Sequence, residues 1–173
     1  GLVAVGGIAG KISGGAVIEN CYVTGKVQGT YDHPTLGARV GGIAGWHGGG
    51  SIRYCFTQVL VVAPAAKGNG GIIGGPNTGS PVLENCLSMS TGAGYRIAGF
   101  DVLTNAKNIY EYTGSGSMTN ITEANREQIK ETDAVFDKSF YRDTLSFDEN
   151  LWELDLLVYG CLLYTSDAAD DLI

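Results

Sequence analysis

Gly-Gly-Ile-Ala-Gly at residues 6–10 is the stretch that decides the fold, because the chain repeats it. It recurs as Gly-Gly-Ile-Ala-Gly at 41–45, as Gly-Gly-Ile-Ile-Gly at 70–74 and, shortened, as Ile-Ala-Gly at 97–99. Self-similarity at a period of about 20–50 residues is typical of stacked units that bury their apolar faces against one another. The sequence therefore predicts a scaffold of about four degenerate units.

A second element follows each of these stretches at a nearly constant distance. It reads Ile-Glu-Asn-Cys-Tyr at 18–22, Ile-Arg-Tyr-Cys-Phe at 52–56, Leu-Glu-Asn-Cys-Leu at 83–87 and Ala-Lys-Asn-Ile-Tyr at 106–110. The repeated isoleucine and the cysteine position are 13, 12, 14 and 12 residues apart in the four units. We expect the equivalent positions to be structural: Gly7, Ile8, Gly10, Cys21, Gly42, Ile43, Gly45, Cys55, Gly71, Ile72, Gly74, Cys86, Ile97, Gly99 and Ile109.

Both elements have the character of short strands. They are too short for helices, are bounded by glycine, asparagine or proline, and are rich in β-forming residues. The paired glycines are expected to allow a positive φ at a corner and close stacking of successive coils. The sequence thus predicts an all-β fold, a right-handed parallel β-solenoid, over residues 1–112. A β-sandwich of antiparallel hairpins is the alternative.

One column of the repeat is expected to hold buried thiols. Cys21, Cys55 and Cys86 are equivalent, and Ile109 takes their place in the fourth unit, which indicates an apolar environment. Zinc binding is the functional alternative, but no CxxC or histidine-rich spacing accompanies these residues. Three equivalent cysteines also cannot pair off as disulfides. The residue before each position of this column is expected to lie at a bend. It is asparagine in three units and tyrosine in the second: Asn20, Tyr54, Asn85 and Asn108.

Residues 113–160 are predicted to close the repeat array. A short helix is expected to begin near Asn120 or Thr122, which are suitable N-cap residues. Because the end of a repeat array exposes apolar surface, four aromatic residues are expected to cover the last coil. A ligand-binding aromatic platform is the alternative. The four residues are Phe140, Tyr141, Phe147 and Trp152.

The two ends of the chain have unusual sequences. Cys-Leu-Leu-Tyr-Thr-Ser-Asp-Ala-Ala-Asp at residues 161–170 resembles the in-frame translation of a sequencing adapter, and residues 161–173 are therefore interpreted as an artefact. An encoded acidic tail is the alternative. The chain begins at Gly1 inside a repeat, so we expect it to be part of a longer protein.

The two elements of the first unit resemble the GLUG repeat. The resemblance rests on Gly-Gly-Ile-Ala-Gly followed by Ile-Glu-Asn-Cys-Tyr-Val-Thr-Gly, and it covers residues 1–112 with decreasing specificity. GLUG repeats occur in large secreted or wall-attached bacterial proteins, including zinc metallopeptidases specific for immunoglobulin A1. The resemblance implies a repeat region of such a protein. Isoleucine stands where the motif's name expects leucine, a conservative exchange in a core.

The sequence offers no set of residues that fits a known catalytic motif. It lacks the HExxH helix of the metallopeptidases, phosphate-binding loops and calcium loops. His33 and His47 are interpreted as exposed loop histidines, and we expect no cofactor and no metal. The net charge of −7 argues against nucleic acid, and no apolar run could span a membrane. Loops around Tyr31, His33 and Trp46 are the candidate binding surface, because binding residues tend to lie on loops.

These features favour a non-catalytic segment of a secreted or cell-surface bacterial protein, extracellular or attached to the cell wall. We expect it to act as a monomeric stalk or adhesive scaffold with a host surface protein or glycan as partner. An accessory region of a zinc metallopeptidase, with its catalytic domain elsewhere, is the alternative. A carbohydrate-binding or polysaccharide-acting solenoid is a third reading.

Overall fold

A computed structural model describes residues 3–30, 38–63, 68–76, 82–94, 97–99, 105–112, 114, 129–154 and 164–165. The described chain is mostly β-strand, as predicted. The strands are β1 (Val3–Gly6), β2 (Ala9–Ser13), β3 (Val17–Glu19), β4 (Tyr22–Gln28), β5 (Ala38–Gly41), β6 (Ala44–Gly48), β7 (Ser51–Arg53), β8 (Phe56–Val62), β9 (Asn69–Gly70), β10 (Ile73–Pro76), β11 (Val82–Ser88), β12 (Thr91–Gly92), β13 (Asn105–Tyr112), β14 (Ile129–Thr132), β15 (Trp152–Glu153) and β16 (Tyr164–Thr165). A 3-10 turn (Ala134–Phe136) and a π-helical turn (Phe140–Thr144) follow β14. The helix expected near residue 120 lies outside the described residues.

Equivalent strands of successive units pair in parallel and in register. The first elements form two three-stranded sheets, with orders β1-β5-β9 and β2-β6-β10. In the larger sheet β3, β7, β11 and β13 follow one another, β4 pairs with β8, and β14 pairs with β13. Ile18, Ile52 and Leu83 are consecutive partners, as the alignment of the repeats predicts. Among the described strands every pairing from β1 to β14 is parallel, which excludes antiparallel hairpins there.

Glycines occur in the first elements where two backbones meet. A Cβ atom on Gly42 would lie well inside contact distance of the carbonyl oxygen of Gly71 in the next unit. A Cβ atom on Gly45 would collide with the backbone of Val5 in the facing sheet. Neither glycine of the pair Gly41–Gly42 has a positive φ. The expectation of positive φ at this glycine pair is therefore wrong, and close backbone approach is what requires glycine.

The main apolar core lies inside the stack. Ile43, Ile72 and Ile97 are fully buried, whereas the equivalent Ile8 of the first unit is 44% exposed. A second, smaller cluster of aliphatic residues fills the space between β4, β5 and β8. The buried members of the main core are Ile12, Ile43, Ala44, Ile52, Cys55, Ile72, Ile73, Leu83, Cys86, Ile97, Ala98, Ile109 and Ile129.

The C-terminal aromatic residues pack along one side of the stack. Trp152 contacts Tyr22 of the first unit with ring centroids 6.1 Å apart, and Phe140 contacts Tyr110 of the fourth unit at 5.0 Å. Tyr141 is fully buried and donates a hydrogen bond from its hydroxyl to the carbonyl of residue 135. These contacts correct the expected aromatic cap over the last coil, because they reach from the first unit to the fourth. Burial also argues against an exposed aromatic platform.

We predict that Gly42→Ala destabilises the protein by about 3 kcal/mol, because the added methyl group must displace backbone of the next unit. Gly48→Ala, at the end of strand β6 in the same unit, is the matched control, since its Cβ atom would meet nothing closer than 3.4 Å. Urea unfolding of both variants measures the difference in the free energy of unfolding. Equal effects at the two positions would contradict the close approach.

Candidate functional site

The second element of each unit turns at one residue with a left-handed backbone. The φ angles of Asn20, Tyr54, Asn85 and Asn108 are 52°, 50°, 52° and 52°. Asparagine tolerates this conformation better than other non-glycine residues, which explains the asparagine column. The Asn108 side-chain amide also donates to Asn85 Oδ1 at 2.9 Å. Tyr54 keeps the backbone bend, although it interrupts the ladder of side chains.

The cysteine column follows directly after this bend. Each thiol donates to the carbonyl two residues earlier: the Sγ–O distances are 3.1 Å for Cys21, 2.9 Å for Cys55 and 3.2 Å for Cys86. Cys55 and Cys86 are fully buried, and Cys21 is half-buried. The hydrogen bond with Cys55, together with burial, raises the pKa of the Cys21 thiol well above its ordinary value. Each thiol of the column therefore closes the bend with its hydrogen bond.

This arrangement does not form a metal-ligand set. Among the described residues, no group of three or more His, Cys, Asp or Glu side chains is placed to hold a metal ion. A thiolate is the form of cysteine that binds a metal or attacks an electrophile. Because the pKa of the Cys21 thiol is raised and Cys55 and Cys86 are fully buried, the column suits packing better than chemistry.

We predict that native-state alkylation with iodoacetamide at pH 8 modifies Cys55 and Cys86 at least about a hundredfold more slowly than in denaturant, because reaction requires unfolding and ionisation. Peptide-resolved mass spectrometry reads each cysteine separately, and Cys21 should react at an intermediate rate. Rapid native labelling of Cys55 would show that the column is accessible.

The candidate binding loop is only partly described by the structure. Tyr31 and His33 lie outside the described residues. Trp46 is in strand β6, not in a loop, and is half-buried with the Lys11 ammonium 5.4 Å from its ring centroid. Such a cation–π contact fixes a lysine over an indole at the surface. Of the three predicted residues, the structure therefore describes Trp46 alone, and it places that residue in a strand.

His47 corrects a second expectation. It lies in β6 beside Trp46 and is fully buried, so it is not an exposed loop histidine. Its Nδ1 accepts a hydrogen bond from the Gly49 backbone N–H at 3.2 Å, while no described group pairs with its Nε2. Burial lowers the pKa of His47 from its ordinary 6.5 to about 4. The neutral imidazole is thus the form compatible with the fold.

We predict that His47 makes the protein less stable as the pH falls from about 6.5 to about 4. In this window the unfolded chain binds a proton at His47 and the folded chain does not, so the free energy of unfolding decreases, by about 2 kcal/mol. Urea titrations at pH 7.0 and 4.5 should show a smaller pH dependence for His47→Gln than for the parent protein.

His33→Gln, which changes the other of the two histidines in the sequence, is the matched control and should keep the parent pH dependence. If His47→Gln and the parent protein lose the same stability between pH 7.0 and 4.5, the assignment of His47 as a buried neutral residue is wrong.

A charge ladder crosses the outer face of the large sheet. Glu19, Arg53, Glu84 and Lys107 are consecutive register partners, so the sign of the charge alternates from unit to unit. The Lys107 ammonium lies 3.2 Å from the Glu84 carboxylate. Each exposed pair contributes little stability, and the alternation avoids like charges on directly opposite residues. This ladder was not predicted, although the alternating sign of the charges is visible once the sequences of the units are aligned.

Comparison with known protein families identifies a motif in the first unit. Residues 1–28 match the family model described as "The GLUG motif". The chain carries a GLUG motif. The matched segment contains β1 to β4, which form the first unit of the stack. No curated protein and no solved structure matches the chain significantly.

The GLUG match also gives the later units a physical interpretation. The first elements of units two and three pair in register with the GLUG segment, and one bridge continues this register to the fourth unit; the partners are Ala9, Ala44, Ile73 and Ala98. The motif is therefore one unit of a repeat region. Within the described residues, no helix is long and apolar enough to cross a membrane.

Proposed function

We propose that this chain is a non-catalytic repeat segment of a secreted or cell-surface bacterial protein, where it serves as a stalk or adhesive scaffold. The observation that carries the proposal is the parallel, in-register pairing of four equivalent units. Stacked units of this kind form extended surfaces and spacers, because each unit contacts only its neighbours. The matched GLUG motif supports the same reading.

The proposed architecture is a right-handed parallel β-solenoid with its core inside the coils. Three observations support it: sheets formed by equivalent strands, a core of equivalent residues, and corners that recur at the same position of each unit. The charge ladder on the outer face of the large sheet consists of charged side chains in all four units. In this architecture the residues inside the coils stabilise the fold, and the outer faces and loops are available to contact a partner.

The proposed role needs no catalytic group in this segment. The buried histidine has a lowered pKa, and the cysteines have no basic partner described beside them, so neither type of residue is prepared for acid–base or nucleophilic chemistry. The proposed contact surface is instead formed by Tyr31, His33 and Trp46. Its proposed partner is a host surface protein or a glycan.

The proposal predicts binding without cleavage. The purified chain, tested on arrays of glycans and host surface proteins, should bind a ligand, and combined replacement of Tyr31, His33 and Trp46 by alanine should weaken binding at least about fivefold, as for loss of a few central contacts. Gln58→Ala, at an exposed strand position, is the matched control and should bind normally.

The same chain should leave immunoglobulin A1 and casein intact in the presence of zinc. Cleavage that EDTA abolishes would overturn the non-catalytic assignment. Undiminished binding by the triple alanine variant would overturn the assignment of the loop.

A further inference from the structure

A row of an ammonium, an indole and a guanidinium crosses one face of the sheet β2-β6-β10. Lys11 of β2 and Trp46 of β6 are register partners, and the Lys11 ammonium lies 5.4 Å from the centroid of the Trp46 ring. Gly75 of β10 is the register partner of Trp46 on the other side. Since Gly75 has no side chain, the third place in the row is open to a residue from another strand, and Arg39 of β5 takes it.

Two glycines make room for the Arg39 side chain. A Cβ atom on Gly75 would collide with Cδ and Nη1 of Arg39, and a Cβ atom on Gly68 would press on the same guanidinium. Paired residues of a parallel sheet point their side chains to the same face, so Arg39 lies on the face that carries Trp46. The row therefore runs Lys11, Trp46, Arg39 across three units of the stack.

This row holds donors and positive charge that the described residues do not use. Arg39 Nε and Trp46 Nε1 are buried, and neither has a hydrogen-bond partner in the described part of the chain. Within the same ranges no ion pair involves Arg39 or Lys11. Buried donors in folded proteins are almost always paired, because an unpaired donor costs free energy. Since all three groups only donate, the group that complements them is an anionic acceptor.

The row also differs from the columns that hold the stack together. Those columns carry the same kind of residue in successive units, as Ile43 and Ile72 do in the core. The row instead has lysine, tryptophan and glycine at equivalent positions of three units. Stacking alone does not require this variation. Each unit thus contributes a different chemical group to one surface.

The three groups together suit a sugar that carries a carboxylate. A guanidinium can bind a carboxylate through two parallel hydrogen bonds, and a nearby ammonium adds a second positive charge. The half-buried indole between them supplies an apolar surface, which suits the C–H face of a pyranose ring. A peptide matches less well, because the row lies on the face of paired strands, where a peptide cannot add as a further strand.

We propose that Lys11, Trp46 and Arg39 form a binding site for an acidic glycan, which they recognise through the carboxylate of a uronic acid or sialic acid residue. The Arg39 guanidinium binds the carboxylate, the Lys11 ammonium adds positive charge, and the Trp46 indole contacts the sugar ring. The inference rests on the proposed function, since it names the class of glycan that the scaffold binds and extends the contact surface from Trp46 to two cations.

Isothermal titration calorimetry of the purified chain with matched sugars tests the site. The probes are hyaluronan hexasaccharide, its carboxyl-reduced form, 3′-sialyllactose and lactose. At least one carboxylated sugar should bind saturably, and its neutral counterpart should bind at least about tenfold more weakly, as expected for losing hydrogen bonds to a charged group. Which carboxylated sugar binds distinguishes uronic acid from sialic acid.

Variants of the chain assign the binding to the row. Arg39→Gln should weaken binding at least about tenfold. Gly75→Ala should weaken it to a similar extent without a change in net charge, because the added methyl group displaces the guanidinium. Lys11→Gln should weaken it about threefold, as for an exposed charge. Lys26→Gln, at an exposed position of β4, removes the same charge elsewhere and should bind normally. Circular dichroism checks that each variant is folded.

Several results would overturn the proposal: binding of neither carboxylated sugar, equal binding of the neutral counterparts, or undiminished binding by Arg39→Gln and Gly75→Ala. Tighter binding of poly-glutamate than of both sugars would assign the site to an acidic peptide instead. The scaffold role is tested separately on the arrays. A neutral glycan or host protein that binds equally to Arg39→Gln leaves that role standing while this proposal fails, whereas arrays without any ligand contradict the adhesive role itself.

Discussion

The structure depends on backbone-to-backbone contact at the glycines of the first elements. Amide groups of one unit donate directly to carbonyls of the next, as from Gly7 to Gly42 at 3.0 Å and from Ile43 to Ile72 at 2.9 Å. Any side chain at Gly42 or Gly45 would occupy the space of a neighbouring backbone. Glycine has a conformational cost in a strand, but here it permits an approach that no other residue allows. This contact sets the spacing on which every other column of the repeat relies.

Once the units are held at this spacing, equivalent side chains become neighbours. Asparagines form a corner column with a left-handed backbone, thiols close the bend behind it, and charges alternate on the outer face. Because the units repeat, a residue that is favourable at one position of a unit recurs in the next units and forms a continuous column. The aromatic residues after the repeats add a contact of a different kind, because Trp152 and Phe140 touch the first and the fourth unit. They link coils that are distant in sequence, which nearest-neighbour stacking alone does not do.

The repeat spacing was enough to predict the strands, their parallel order and the equivalence of Ile43 and Ile72, because core positions keep their register while loops vary. It did not predict why glycine is required at position 42, since a sequence does not show how closely two backbones approach. The burial of His47 was not predicted, because the glycines that follow it in the sequence are typical of a turn. The side-on packing of Trp152 was missed too, because a sequence cannot show which surface of a stack its aromatic residues meet. The charge ladder, in contrast, was available from the aligned units.

The most direct test of the account is the register between neighbouring units, measured by disulfide formation. In a parallel, in-register stack, cysteines at positions 53 and 84 lie on directly opposite residues, within the separation that a disulfide spans. The account predicts that Arg53→Cys combined with Glu84→Cys forms this bond on mild oxidation, as detected by mass spectrometry. Arg53→Cys combined with Val82→Cys, displaced by two residues, should form it far more slowly. Equal bond formation in both variants, or bond formation only in the displaced pair, would contradict the stacked register.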